Sequence, residues 1–121
     1  YDHTAIEEKT YLINYIQSKY DDIHIIDVGY KENGSKDYPV YGAKVGELIS
    51  KGEVDKGFLI CGTGVGIMNA AIKYNNVKGV IVNSKQSTKI AVEEYHCNTI
   101  SIGIRVIGIG VIIEIIDEFL K

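Results

Sequence analysis

The stretch Phe58-Leu59-Ile60-Cys61-Gly62-Thr63-Gly64-Val65-Gly66-Ile67-Met68 decides how the rest of the chain is read. Phe58 to Ile60 is apolar and too short for a helix, so it reads as a buried strand. Glycines follow at 62, 64 and 66, and a helical composition returns from Ile67 to Lys73. Strand, glycine turn and helix start together make an anion site. Glycine permits the tight turn, and the N–H groups of a first helical turn have no intrahelical acceptor. Cys61 sits at the lip of the turn, where the positive end of the helix favours its thiolate. A base beside a ring of N–H donors can take a proton from carbon and hold the enolate that forms. Two other glycine motifs fail. A P-loop needs Lys-Ser/Thr after its last glycine, where Ile67-Met68 stand, and the dinucleotide fingerprint needs glycine at Ile67. The plainer alternative is that the glycines only close a turn.

Working outward from this strand, apolar periodicity places the other elements. Upstream, Thr4 with Glu7 forms a capping-box pattern ahead of a helix whose face is Ile6, Leu12, Ile13, Ile16 and Tyr20. Ile23 to Val28 reads as a strand ending at Gly29. Residues 30–38, with Asn33-Gly34-Ser35, read as a loop. Pro39 suits the first turn of a second helix, faced by Tyr41, Val45, Leu48 and Ile49 and stopped by Gly52. Downstream, Val77 to Val82 is β-rich, a helix runs from Ser84–Ser87 to about Tyr95, and Asn98 to Ile102 is another strand. A last helix covers 108–120. Helices and strands alternate throughout, which predicts an α/β fold: a parallel sheet covered on both faces, a three-layer αβα sandwich. Ligands of such sheets bind beyond the carboxyl ends of the strands, here at Gly29, Cys61-Gly62, Asn83 and Gly103–Arg105.

Bulk properties narrow the function classes. The 121 residues suit a single domain over 1–121. With 45% hydrophobic and 24% charged residues the composition is that of an ordinary soluble globule. A net charge of −3 argues against general nucleic-acid binding. The longest apolar run, Val106 to Ile116, is interrupted by glycines and Glu114 and is too short to span a bilayer. Cys61 and Cys97 lack metal or CxxC spacing and fit a reduced, cytoplasmic protein without a metal site.

Four segments together resemble the ribose-5-phosphate isomerase B family, including the related galactose-6-phosphate isomerase subunits. They are Asp2-His3 with Glu7 and Lys9; Asp37-Tyr38-Pro39; Ile60 to Ile67; and Gly103-Ile104-Arg105-Val106-Ile107-Gly108. The resemblance implies a flavodoxin-like fold with a five-stranded parallel sheet, and a homodimer or homotetramer with sites at the subunit interface. It implies interconversion of ribose 5-phosphate and ribulose 5-phosphate without metal or organic cofactor. On the same ground, Cys61 is the base, and the backbone of Gly62, Gly64, Val65 and Gly66 holds the enediolate. Thr63 and Asp2 shuttle hydroxyl protons, His3 and Tyr38 lie near substrate, and Arg105 grips phosphate, for which its fork of donors is suited.

The chain also departs from that family. It begins at the Asp-His pair, where the family carries a preceding strand, so that first strand is expected to be missing from the sheet. Glu94-Tyr95 stand where the family has His-Asn, making Glu94 a candidate acid or base and Tyr95 a candidate substrate contact. The family's basic C-terminal tail is absent, and Ile72 replaces an asparagine after the glycine turn. Each candidate has an ordinary alternative: Cys61 as a core thiol, His3 and Glu94 as solvated groups, Arg105 as a surface charge, Tyr38 as turn packing. These departures keep open a catalytically impaired sugar-phosphate-binding relative, or one subunit of a hetero-oligomeric six-carbon sugar-phosphate isomerase. A thiol-redox module has only Cys61 and Cys97 behind it.

Overall fold

A computed structural model describes residues 1–31, 34 and 37–121. A 3₁₀ turn, His3–Ala5, leads into α1 (Ile6–Lys19), followed by α2 (Tyr38–Ser50), β1 (Gly57–Cys61), α3 (Val65–Ala71), β2 (Gly79–Ile81), α4 (Lys85–Glu93), β3 (Thr99–Gly103) and α5 (Ile109–Phe119). Asn33 and Ser35 of the expected loop lie outside the described residues.

The three strands are parallel, in the order β1-β3-β2, so the last strand inserts between the two earlier ones. Gly57 pairs with Thr99 and Cys61 with Gly103, while Gly79 pairs with Thr99 and Ile81 with Ser101. The period-two alternation of strands divides the core in two. Ile60, Ile100 and Ile102 pack with Leu12 of α1, Ala91 of α4 and Ile112, Ile115, Ile116 and Phe119 of α5. Leu59 and Cys61 turn the other way, toward Tyr41, Val45 and Ile49 of α2 and Ile67, Met68 and Ala71 of α3. This is the parallel α/β sandwich expected from the alternation, and the flavodoxin-like fold implied by the resemblance.

Glycine sets how closely α2 meets α3. A Cβ on Gly42 would lie 2.2 Å from the Ile67 carbonyl oxygen, and one on Gly46 would lie 2.9 Å from that of Ala71. The contact brings the start of α2 over the start of α3. Tyr38 rests on Gly66, where a Cβ would be 2.2 Å from its ring.

Two local expectations are corrected. Residues 23–28 do not form a strand. A strand needs a ladder partner about 4.8 Å away, but a cavity of about 650 Å³, lined by Ile23 to Gly29 and by Gly57, Phe58 and Ile60, separates this run from β1. Among the described residues, main-chain hydrogen bonds bridge the gap through Tyr1–Asp2: the Tyr30 N–H donates to the Tyr1 carbonyl at 3.0 Å, and the Asp2 N–H donates to the Ile60 carbonyl at 3.2 Å. The capping box at Thr4 is also replaced. Asp2 caps the 3₁₀ turn, accepting from the Thr4 N–H, and α1 begins after Ala5 without a side-chain cap.

Candidate active site

The site forms where β1 and β3 end side by side. Beyond the ladder, the Ile104 N–H donates to the Cys61 carbonyl at 2.9 Å and the Arg105 N–H to the Gly62 carbonyl at 3.0 Å. The chain after β3 therefore runs along the glycine turn and delivers Arg105 to it. The guanidinium lies 3.3 Å from the point where a Cβ on Gly62 would be. Gly103 provides the floor, since a Cβ there would be 2.5 Å from the Thr63 carbonyl carbon.

Gly64, with φ +85°, occupies the left-handed region that favours glycine. That conformation turns its N–H back onto the Cys61 sulfur at 3.0 Å, a contact that supports negative charge on sulfur. The Val65 N–H reaches the Thr63 hydroxyl at 3.3 Å. Among the described residues, the N–H groups of Thr63 and Gly66 have no protein acceptor. Cys61 is only 5% exposed and packs with Leu59 and Ile67, but it also lines a cavity of about 240 Å³ with Asp2, Thr4, Tyr38, Gly62, Thr63, Gly66 and Arg105.

Asp2 enters from the chain start. Its carboxylate accepts from the Thr4 N–H at 3.0 Å and the Thr4 hydroxyl at 2.5 Å. Thr4 is a lining residue that sequence reasoning passed over as a helix cap, and its place three residues after Tyr1 carried no signal of more. The expected residues divide. Asp2, Tyr38, Cys61, Gly62, Thr63, Gly66 and Arg105 line one cavity, with Gly64 and Val65 completing its turn. His3 is exposed and meets the edge of the Tyr30 ring, centroids 6.0 Å apart. Glu94 follows α4 on the surface, and Tyr95 is 68% exposed; neither reaches the cavity. Both cysteines are free. Among the described residues there is no metal-binding cluster of His, Cys, Asp or Glu, and no helix long and apolar enough to cross a membrane.

Asp27 fixes the chain start. It accepts from the Gly29 N–H at 3.0 Å and the Tyr1 hydroxyl at 3.3 Å, and pairs with Lys9 and Lys31, each at 3.3 Å. Burial alone would raise its carboxyl, but the Gly29 N–H and the two ammonium groups overcome this and hold it below 3.8. A depressed carboxyl stabilises the fold above its unfolded value and loses that contribution as pH falls through the folded value. Asp27→Asn should therefore unfold at lower urea than the parent at pH 7, and the gap should narrow below about pH 4. An equal gap at pH 7 and pH 3 would rule this out.

The chain matches the Ribose/Galactose Isomerase family over residues 1–121. It is 36% identical over 120 residues to the galactose-6-phosphate isomerase subunit LacB of Clostridium acetobutylicum, covering 99% of this chain and 68% of that one. Against ribose-5-phosphate isomerase B of Escherichia coli it is 36% identical over 98 residues, covering 81% and 66%. It thus spans about two thirds of the length of these relatives. The fold superposes on ribose-5-phosphate isomerase B of Clostridium thermocellum with a TM-score of 0.91 at 32% identity, covering 99% of this chain and 80% of that one. On the Mycoplasma genitalium enzyme with bound ribulose 5-phosphate the TM-score is 0.87 at 30% identity, covering 99% and 79%. The chain belongs to the ribose/galactose isomerase family.

Proposed function

We propose that the protein is an aldose–ketose isomerase that interconverts ribose 5-phosphate and ribulose 5-phosphate through an enediolate. The observation that carries this is the Cys61 sulfur in the wall of a cavity of about 240 Å³ that it shares with Asp2, Thr63 and Arg105, beside main-chain N–H groups with no protein acceptor. The thiolate takes the proton from C2 of the open-chain aldose. The electron pair forms the C1–C2 double bond, and the charge collects on O1, within reach of the 62–66 amides. Thr63 and Asp2 move the hydroxyl proton from O2 to O1, and the proton on sulfur returns to C1. The ketose carbonyl is then at C2. Each proton-transfer group contributes roughly 10²–10⁴-fold, and an oxyanion donor roughly 10²–10³-fold. Arg105 takes the phosphate. None of these steps needs a cofactor.

A homodimer or homotetramer is part of the proposal. Tyr38, Val65, Val106 and Ile109, in or next to the site segments, are between 43% and 62% exposed, and apolar surface of this kind marks an interface. A second reading, a subunit for a six-carbon sugar phosphate, is favoured by the likeness to LacB. Purified protein offered ribose 5-phosphate and galactose 6-phosphate separately should form ketose from the former. Turnover of galactose 6-phosphate alone, or only after a second isomerase chain is added, would support the second reading instead.

A further inference from the structure

We propose that Ser101 is a positioning residue that fixes the Gly64–Val65 peptide and, through the Val65 N–H, the Thr63 hydroxyl in the site wall; the inference rests on the isomerase reading above. Ser101 lies in the middle of β3, fully buried, and faces the same side of the sheet as Leu59 and Cys61. It is gripped from both flanks, opposite Leu59 in β1 and Ile81 in β2, and its carbonyl accepts from the Val82 N–H at 2.9 Å. From this fixed point its hydroxyl donates to the Gly64 carbonyl at 2.6 Å.

That carbonyl is the one a helix start ordinarily pairs with its own fourth N–H. Helices α4 and α5 do so, with Thr88 N–H on the Ser84 carbonyl and Ile112 N–H on that of Gly108. Gly64 holds the same place at the start of α3, and its carbonyl accepts in addition from the Ser101 hydroxyl. The consequence is directional. The peptide joining Gly64 to Val65 is planar, so drawing its carbonyl toward the sheet turns its N–H the opposite way. A hydrogen bond on the carbonyl also polarises the N–H at the other end. Ser101 thus sets both the direction and the strength of the donor that holds the Thr63 hydroxyl at 3.3 Å, without touching substrate. Its position also limits residue 64, since a Cβ there would be 2.9 Å from the Ser101 hydroxyl.

Ser101→Ala and Ser101→Thr separate this role from simple packing. In the alanine variant the Gly64 carbonyl loses its tie to β3. The Val65 and Gly64 amide resonances should then move in the ¹H–¹⁵N spectrum of the substrate-free protein, while Leu59 and Ile100 stay in place. With ribose 5-phosphate, kcat should fall about tenfold, less than outright loss of a proton-transfer group, with KM within about twofold because the Thr63 hydroxyl serves the proton transfers and does not hold the ground state. Threonine restores the hydroxyl and should recover most of kcat. Unmoved Val65 and Gly64 resonances in the alanine variant would overturn the inference. So would a threonine variant, folded by the same spectrum, that is as slow as the alanine one. If the parent itself turns over no sugar phosphate, the isomerase reading fails, and the amide shifts still decide the role of Ser101.

Discussion

Cys61→Ala should lower isomerase turnover by about 10³-fold or more, the upper part of the range for a proton-transfer group, while leaving the fold intact. Among the described residues, the sulfur is the only group in the cavity wall placed both at the end of β1 and against an N–H of the glycine turn. Alanine leaves the backbone free to keep its path, since Gly64 is held from the other side by Ser101. Circular dichroism and the urea midpoint should therefore change little while kcat collapses. Cys61→Ser is the sharper variant. It keeps the shape and a hydrogen-bond acceptor for Gly64, yet a hydroxyl is a far poorer source of anion at neutral pH than a thiol, so turnover should remain near the alanine level. Serine activity close to that of the parent would remove Cys61 from the role of base.

Gly103→Ala should cost about 10²-fold in kcat/KM, the loss that follows from displacing a site by about 1 Å. The added Cβ would sit 2.5 Å from the Thr63 carbonyl carbon and 2.6 Å from its Cα. Both are backbone atoms, so no side-chain rotation relieves the clash. β3 is held by β2 as far as Ser101 and by β1 as far as Gly103, so the glycine turn must yield by about 1 Å to reach ordinary contact. The turn carries Thr63, the Gly64 contact to sulfur and the unpartnered Gly66 N–H. Overpacking of this kind also costs about 1–3 kcal/mol of stability, readable from a urea titration. Gly110→Ala is the control. Nothing lies within 4 Å of a Cβ there, and alanine in a helix is favoured over glycine by roughly 1 kcal/mol. Its activity should stay at the parent level and its stability should rise. Equal activity in the two alanine variants would contradict the geometry of the turn.

Much of this arrangement is legible from the residues because each part has a local cause. Alternation of Leu59, Ile60 and Cys61 across a sheet fixes which helices each meets, and glycines at 62, 64 and 66 announce a turn that brings main-chain groups to a ligand. Arg105 is found because it follows a strand that ends beside β1. What was not legible depends on contacts distant in sequence. Ile23 to Val28 has a strand composition, but pairing requires a neighbouring backbone, and the 650 Å³ cavity lies where one would be. Thr4 looks like a helix cap, and only the fold around Asp2 turns its hydroxyl to the carboxylate. Ser101 gives no sign in a strand pattern, because its role depends on a carbonyl 37 residues away. Glu94 and Tyr95 are candidates by position in a motif, and the surface end of α4 keeps them away from the cavity.

The central claim is that sulfur removes a proton from a sugar carbon. Its direct test is ribose 5-phosphate incubated with the protein in deuterated water, with the C2 proton followed by NMR. The account predicts loss of the C2 signal together with appearance of ribulose 5-phosphate, and neither change with the Cys61→Ala protein. Retention of the C2 proton with no ketose formed at high protein concentration, or equal exchange by the alanine variant, would contradict it.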